Sequence, residues 1–313
     1  MRITTLSTLA LAALVLGACS DDNPTGPSIS AGPELAKGGG GKGKGGKPGD
    51  RIVYTHKDGS GNTDIYTMRP DGSHVTRITF GGYHVNPRWA AGQSKIVYVG
   101  NGGGAEKIFQ MNADGSGVTQ LTFGGCADRN PAPSPDGTRI AFYRACDGAG
   151  IYLVNMDGSN LTQLTFNGAD HQPTWMPAGD RVVFANNDGL DHGIFGVNVD
   201  GSNRATLHSC GPVGNCRAPM VSPDGTRLTF WTPLLEGQIV ILTFSNQGWV
   251  ELAHLGSGTE YPATFSPDGT KLVFTAGPYG TDIDLYSVNA ADGSGLTRLT
   301  SVTGPDAAPS WHR

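Results

Sequence analysis

Charged residues make up only 16% of the sequence, and almost no helical periodicity appears beyond the first twenty positions. A helical bundle and an α/β domain are therefore both excluded, since each needs amphipathic stretches with a 3.6-residue repeat. There is no Gly-x-Ser-x-Gly elbow, so the serine nucleophile of an α/β-hydrolase is missing. There is likewise no His-Glu-x-x-His and no Gly-x-x-x-x-Gly-Lys, and the glycine tract at 38–46 follows no strand, which excludes a zincin and a P-loop. The calcium order Asp-x-Asp-x-Asp-Gly is absent too, and Asp282-Ile283-Asp284 reads as turn residues at the start of a strand. The apolar run Leu9 to Leu16 is shorter than the ~20 residues a membrane span needs. Net charge is −5; five basic and three acidic residues precede Asp50, so the rest carries 17 basic and 24 acidic, a net −7. An acidic surface of that kind is a poor ligand for nucleic acid.

What the chain has instead is repetition. A unit of about 44 residues recurs six times from Arg51 onward, with equivalent positions at Ile52, Ile96, Ile140, Val182, Leu228 and Leu272 and spacings of 44, 44, 42, 46 and 44. Each copy carries an apolar β-branched doublet, a second run such as Ile151 to Leu153, and a Leu-Thr or Ile-Thr pair such as Ile78-Thr79. A strand also precedes the doublet, at Pro87-Arg88-Trp89, Pro173-Thr174-Trp175 and Pro309-Ser310-Trp311. Four strands per copy are predicted. The corners are Pro135-Asp136-Gly137-Thr138 and its equivalents, then Asp71-Gly72-Ser73 and its equivalents, where Pro sets φ and Gly supplies a positive one.

One four-stranded sheet cannot bury both faces, so copies must stack and a ring leaves no open end. The fold expected is all-β, a six-bladed β-propeller with four-stranded blades. The first copy starts at its second strand, so Ala308 to His312 is expected to supply the innermost strand of the first blade and close the ring. The fifth copy is irregular: Gln238 to Phe244 is a longer apolar run, and Asn246-Gln247-Gly248-Trp249 stands where Asp-Gly-Ser stands elsewhere. Trp89, Trp175 and Trp311 share one repeat position suited to packing between blades, whereas Trp231 and Trp249 break the repeat and Trp249 is a candidate exposed contact.

Pro-x-Trp/Phe-Ser-Pro-Asp-Gly, then Ile-x-Phe, Ile-Tyr-x-x-Asn-x-Asp-Gly-Ser and Leu-Thr together resemble the WD40-like repeat of TolB-type propellers, across residues 51–313. The resemblance implies six blades and a non-catalytic scaffold of the bacterial envelope that contacts a peptidoglycan-associated lipoprotein. The α/β domain that TolB carries before its propeller has no counterpart expected between Cys19 and Arg51. Some TolB-like propellers resemble oligogalacturonate lyases, whose channel holds a His- and Gln-lined metal site; His84, His171 and Gln172 are reminiscent of it but come from too few blades.

Residues 1–18 resemble a lipoprotein signal peptide, with Arg2, the apolar segment and Leu16-Gly17-Ala18-Cys19 as lipobox; the alternatives are an ordinary signal peptide or a short anchor. Cys19 is then the lipidated first residue, and Ser20 after it favours the outer membrane, facing the periplasm or the cell surface. Residues 19–50, with Gly38 to Gly46 and Lys37, Lys42, Lys44 and Lys47, read as a flexible tether. The lipobox takes one of five cysteines. Cys126 and Cys146 flank strands on one rim and are expected to pair, while Cys210 and Cys216 close the loop between them. A four-thiol metal site lacks the CxxC spacing it needs, and no cofactor is expected.

Binding is expected where the loops before the innermost strands converge on the central channel. The candidates there are His84, Asn86, Asp128, Arg129, Asp170, His171, Arg217, Glu260 and Asp306, a polar ring for an envelope protein or peptide. The alternatives are solvated turn-capping residues, a carbohydrate- or peptide-sensing module, or a metal-dependent lyase. Replacing Asp170 and His171 by alanine is expected to weaken partner capture with little thermal cost.

Overall fold

The computed structural model describes residues 50–312 apart from 91, 93, 190–191, 212–214, 233–237, 245–248, 253–262 and 278–282. The chain builds six four-stranded antiparallel sheets. Blade 1 takes β1 (Arg51–Lys57), β2 (Thr63–Met68) and β3 (Thr76–Arg77). Blade 2 is β4 (His84–Trp89), β5 (Lys95–Asn101), β6 (Glu106–Asn112) and β7 (Thr119–Gln120), and blade 3 is β8 (Ala127–Pro133), β9 (Arg139–Ala145), β10 (Gly150–Asn155) and β11 (Thr162–Gln163). Blade 4 is β12 (Asp170–Trp175), β13 (Arg181–Asn186), β14 (Gly193–Asn198) and β15 (Ala205–Ser209). Blade 5 is β16 (Arg217–Val221), β17 (Arg227–Thr232), β18 (Gln238–Thr243) and β19 (Trp249–Leu252). Blade 6 is β20 (Thr264–Phe265), β21 (Lys271–Ala276), β22 (Asp284–Asn289) and β23 (Thr297–Arg298). The last strand, β24 (Asp306–His312), returns to pair with β1, with Ile52 opposite Trp311 and His56 opposite Asp306. Each inner strand touches the next, from β24 through β4, β8, β12, β16 and β20 back to β24, so the ring is closed.

The burial follows from this stacking. A blade has a neighbour on each face, so its second strand is apolar on both sides: Ile52, Val53 and Tyr54 are buried in succession, as are Val182, Val183 and Phe184. The apolar residues gather into six clusters, one at each junction between blades. Trp89 packs with Val53 and Ile65 of blade 1, Trp175 with Ala132 and Ile151 of blade 3, and Trp311 against Val273 and Leu285 of blade 6. At about 1.5–3 kcal/mol per fully buried large aliphatic side chain, these junctions hold the ring, and no single blade is stable alone. The irregular fifth copy is a complete blade: β18 keeps its ladder to β17 and β19.

The turns also do more than reverse the chain. Ser222 Oγ donates to the Asp224 carboxylate at 2.5 Å and accepts from the Arg227 amide at 2.9 Å, so Ser-Pro-Asp-Gly-Thr satisfies itself. In the Asp-Gly-Ser turns, Asp71 accepts from both the amide and the hydroxyl of Ser73. The glycine is required twice over. Gly72 has φ 80°, and a Cβ there would lie 2.6 Å from the Leu299 carbonyl of the preceding blade; Gly115 meets the Ile78 carbonyl at the same distance.

Asp284 departs from the expectation of a turn residue. It is the first residue of β22, buried, with Arg298 Nη2 2.5 Å from its carboxylate, because the strand begins earlier than the turn-like sequence suggests. Asp282 lies outside the described residues.

Candidate functional site

The polar triplets ahead of the prolines are strand, not loop. They open β4, β8, β12 and β24, and β4, β8, β12, β16 and β24 each bulge at the residue before the proline. Asn86, Asn130, Gln172, Ala218 and Ala308 all adopt φ of 51–53° there. A left-handed residue before proline is costly for a residue with a Cβ, and its recurrence in five blades means the ring geometry imposes it. Asn tolerates that region best, which accounts for Asn86 and Asn130.

The carboxylates two residues earlier face inward. Asp128 is fully buried and held by Arg144 through Nε at 2.6 Å and Nη2 at 2.8 Å, with the fully buried Lys107 ammonium at 3.3 Å. Asp170 is fully buried, accepting from Asn186 Nδ2 at 2.6 Å and from Arg204 at 2.9 and 3.0 Å. Asp306 is fully buried and lies 2.7 Å from His56 Nδ1, which raises the His56 pKa through that hydrogen bond. The partners His56, Arg144 and Asn186 share one position near the end of the second strand of their blades. That polar residue two places after Tyr54, Phe142 or Phe184 is the sequence signal that identifies the pairing.

His84 Nδ1 lies 3.1 Å from Asp64 of the preceding blade, so it ties blades 1 and 2. Burial pushes the Asp64 carboxyl up, but the Gly81 amide, Arg77 and Thr79 more than offset it, and the net shift is downward. His171 Nδ1 lies 2.9 Å from the Ala169 carbonyl and 3.1 Å from that of Ala185, while Nε2 is 3.2 Å from Asn187 Nδ2. This is the pattern of a neutral ring with its proton on Nδ1, and burial lowers its pKa. Arg129 is exposed and paired with Glu106, and Arg217 Nε donates to Asn215. Glu260 lies outside the described residues. Asn86, His84 and Arg129 therefore keep accessible surface at the mouth, while Asp128, Asp170 and Asp306 do not.

One feature of the same rim is not expected from the triplets. Phe80, Phe123 and Phe166 are 73%, 66% and 83% exposed, in the segments that lead from the outer strand of blades 1, 2 and 3 to the next inner strand. The repeated Thr-Phe-Gly-Gly, Thr-Phe-Gly-Gly and Thr-Phe-Asn-Gly carried that signal. Burying such a ring is worth about 2 kcal/mol or more, yet all three stand in solvent at one repeat position.

The same rim carries both disulfides. Cys126 pairs with Cys146 at a Cα separation of 5.3 Å, and Cys210 with Cys216 at 6.1 Å. Among the described residues, one cluster, His208 with Cys210 and Cys216, brings three potential metal ligands together. Its thiols are joined to each other, so it does not supply the thiolates a metal would need. His171 has both ring nitrogens taken, by backbone carbonyls and by Asn187, whereas His84 is held at Nδ1 alone by Asp64.

The described residues form a closed ring of six four-stranded blades, which is a β-propeller. The TolB beta propeller domain matches residues 47–219, more than half of the sequence, and the chain belongs to that family. TolB from Acinetobacter baumannii is similar over 85% of this chain and 67% of its own, with 18% identity and a TM-score of 0.75. A putative TolB from Agrobacterium tumefaciens aligns over 83% of this chain and 91% of its own, at 16% identity and TM-score 0.64. An oligogalacturonate lyase in complex with manganese aligns over 80% and 74%, at 15% identity and TM-score 0.57. At such identities these likenesses show the fold. No protein of curated function matches the sequence.

Proposed function

We propose that this propeller is a non-catalytic binding protein of the bacterial cell envelope that recognises another envelope protein through its channel-mouth rim. The observation that carries this reading is the arc of Phe80, Phe123 and Phe166, exposed at one repeat position in three successive blades. Aromatic anchors surrounded by polar groups are what protein interfaces are built around, and His84, Asn86, Arg129 and Arg217 supply that surround. Two disulfides support an oxidising, exported location. Lipid attachment at Cys19 and a tether up to Asp50 would let the ring reach partners near the membrane. An acidic propeller is not suited to nucleic acid.

The test is affinity capture from native membranes with the tether intact, comparing the unaltered chain with Phe80→Ser, Phe123→Ser and Phe166→Ser together. The partner should be lost from the triple variant while its melting temperature stays within about 2 °C, since exposed side chains contribute little to stability. Capture undiminished by the triple change would overturn the rim as the binding surface. The lyase alternative is disfavoured by His171, whose two ring nitrogens are taken by backbone carbonyls and Asn187.

A further inference from the structure

At the other end of the channel from the mouth, beside the Pro-Asp-Gly corners, the inner strands line an open cavity of about 440 Å³, within the size range of small-molecule sites. Its wall includes Trp175, Met220 and Phe265 of the neighbouring blades 4, 5 and 6. Among the described residues one charged residue lines it, Arg88 of β4, and no acidic side chain does. Among the described residues the guanidinium makes one hydrogen bond, from Nη1 to the Pro309 carbonyl at 3.3 Å, and forms no ion pair. What surface Arg88 retains faces the channel. Burial pulls its pKa down to about 10, so it is still a cation at neutral pH.

Two hydroxyls of the lining are placed as donors, while those of Ser134 and Ser222 are spent on Asp136 and Asp224. Ser310 Oγ accepts from the Trp89 amide and Thr264 Oγ1 from the Trp311 amide, both at 3.4 Å, leaving each hydroxyl proton free. Thr174 Oγ1 spends its proton on the sulfur of Met220 at 3.5 Å, a weak bond that a better acceptor displaces. An uncompensated cation enclosed by protein is expensive. An anion with an apolar body offsets that cost and fills the cavity.

From this arrangement we infer that the axial cavity is a binding site for an organic carboxylate, held by Arg88, Ser310 and Thr264, with its apolar body against Trp175, Met220 and Phe265. A free small acid and the C-terminus of a peptide offer the same chemistry. The inference is independent of the rim, since none of these residues lies at the mouth.

The experiment titrates the full chain, labelled with 5-fluorotryptophan, with four probes: phenylacetate, phenylacetamide, N-acetyl-Gly-Gly-Phe and its C-terminal amide. Binding of either acid, with the fluorine signals of Trp89, Trp175 and Trp311 shifting and that of Trp231 still, supports the site and names its source. Each amide should bind at least about tenfold more weakly, as should the acid to Arg88→Gln, the loss expected for a charged hydrogen bond. If Arg88→Gln does not fold, the comparison of acid with amide on the unaltered chain, together with Ser310→Ala, carries the test. Equal affinity for acid and amide, or no saturation by either acid up to 10 mM, overturns it.

Discussion

At the residue scale, neighbouring polar positions of one strand serve opposite ends. Asp128 and Arg129 are adjacent, yet the first is fully buried between Arg144 and Lys107 and the second is exposed beside Glu106. Asp128→Ala leaves two buried cations without a counter-charge and should cost about 3–5 kcal/mol in urea unfolding. Arg129→Ala, which breaks an exposed pair, should cost less than about 1 kcal/mol. The alanine change at Asp170 is accordingly a stability probe, because its carboxylate holds Asn186 and Arg204 inside blade 4. The bulge makes a second contrast: Asn130→Val places a β-branched residue at φ 52° and should cost about 2 kcal/mol, whereas Asn130→Gly should be nearly neutral.

The two histidines give opposite pH signs. The folded pKa of His56 is raised by Asp306, so its contribution is fully present below the unfolded value near 6.5 and is lost as pH rises through the folded one. That of His171 is lowered by burial, so its contribution is present above the unfolded value and lost as pH falls through the folded one. Melting curves of His56→Gln and His171→Gln from pH 5 to 8 should therefore deviate from the unaltered protein at opposite ends of that range.

At the element scale, the loops that open the inner strands are pinned by covalent bonds. The Cys126–Cys146 link spans 20 residues and Cys210–Cys216 spans 6. Chain-entropy reasoning assigns them about 3 and about 2 kcal/mol, so Cys126→Ser with Cys146→Ser should lower the melting temperature more than the other pair. The strands, corners and both pairings were legible in the sequence, because apolar doublets, Pro-Asp-Gly and Asp-Gly-Ser act locally. Asp284 was not, since a carboxylate beside another turn-like residue reads the same whether it caps a corner or pairs with Arg298 inside a sheet. The candidate site was legible only as a place. Which of its side chains point outward depends on a bulge and on partners one strand away, and the exposure of Phe80, Phe123 and Phe166 depends on there being no neighbour to cover them.

At the scale of the whole molecule, closure makes one cooperative unit of six weak ones. Removing 306–313 strips blade 1 of its inner strand and exposes the Trp311 junction with blade 6. The loss should exceed about 5 kcal/mol, a large share of a domain's stability, and turn a sharp thermal transition into a broad one. Acid acts on all blades together. Hydrogen bonds from Ser222 and Thr226 hold the Asp224 carboxyl down at about 2, and Asp71, Asp114, Asp136, Asp157, Asp200, Asp268 and Asp292 are lowered as well. Folded values below the unfolded one confer stability that is present above pH 4 and lost on the way to pH 2. Circular dichroism over that interval should show a common loss across the sheet signal.

Repetition alone settled the blade count, the strands per blade and the partner of the final strand, because a 44-residue period encodes a unit that must be stacked and closed. Only the ring decided that Asp128, Asp170 and Asp306 are structural, that three phenylalanines stand in solvent, and that Arg88 lines an open axial cavity with no ion pair among the described residues. Those outcomes depend on residues from different blades meeting across the channel or failing to meet, and distance along the chain carries no record of that.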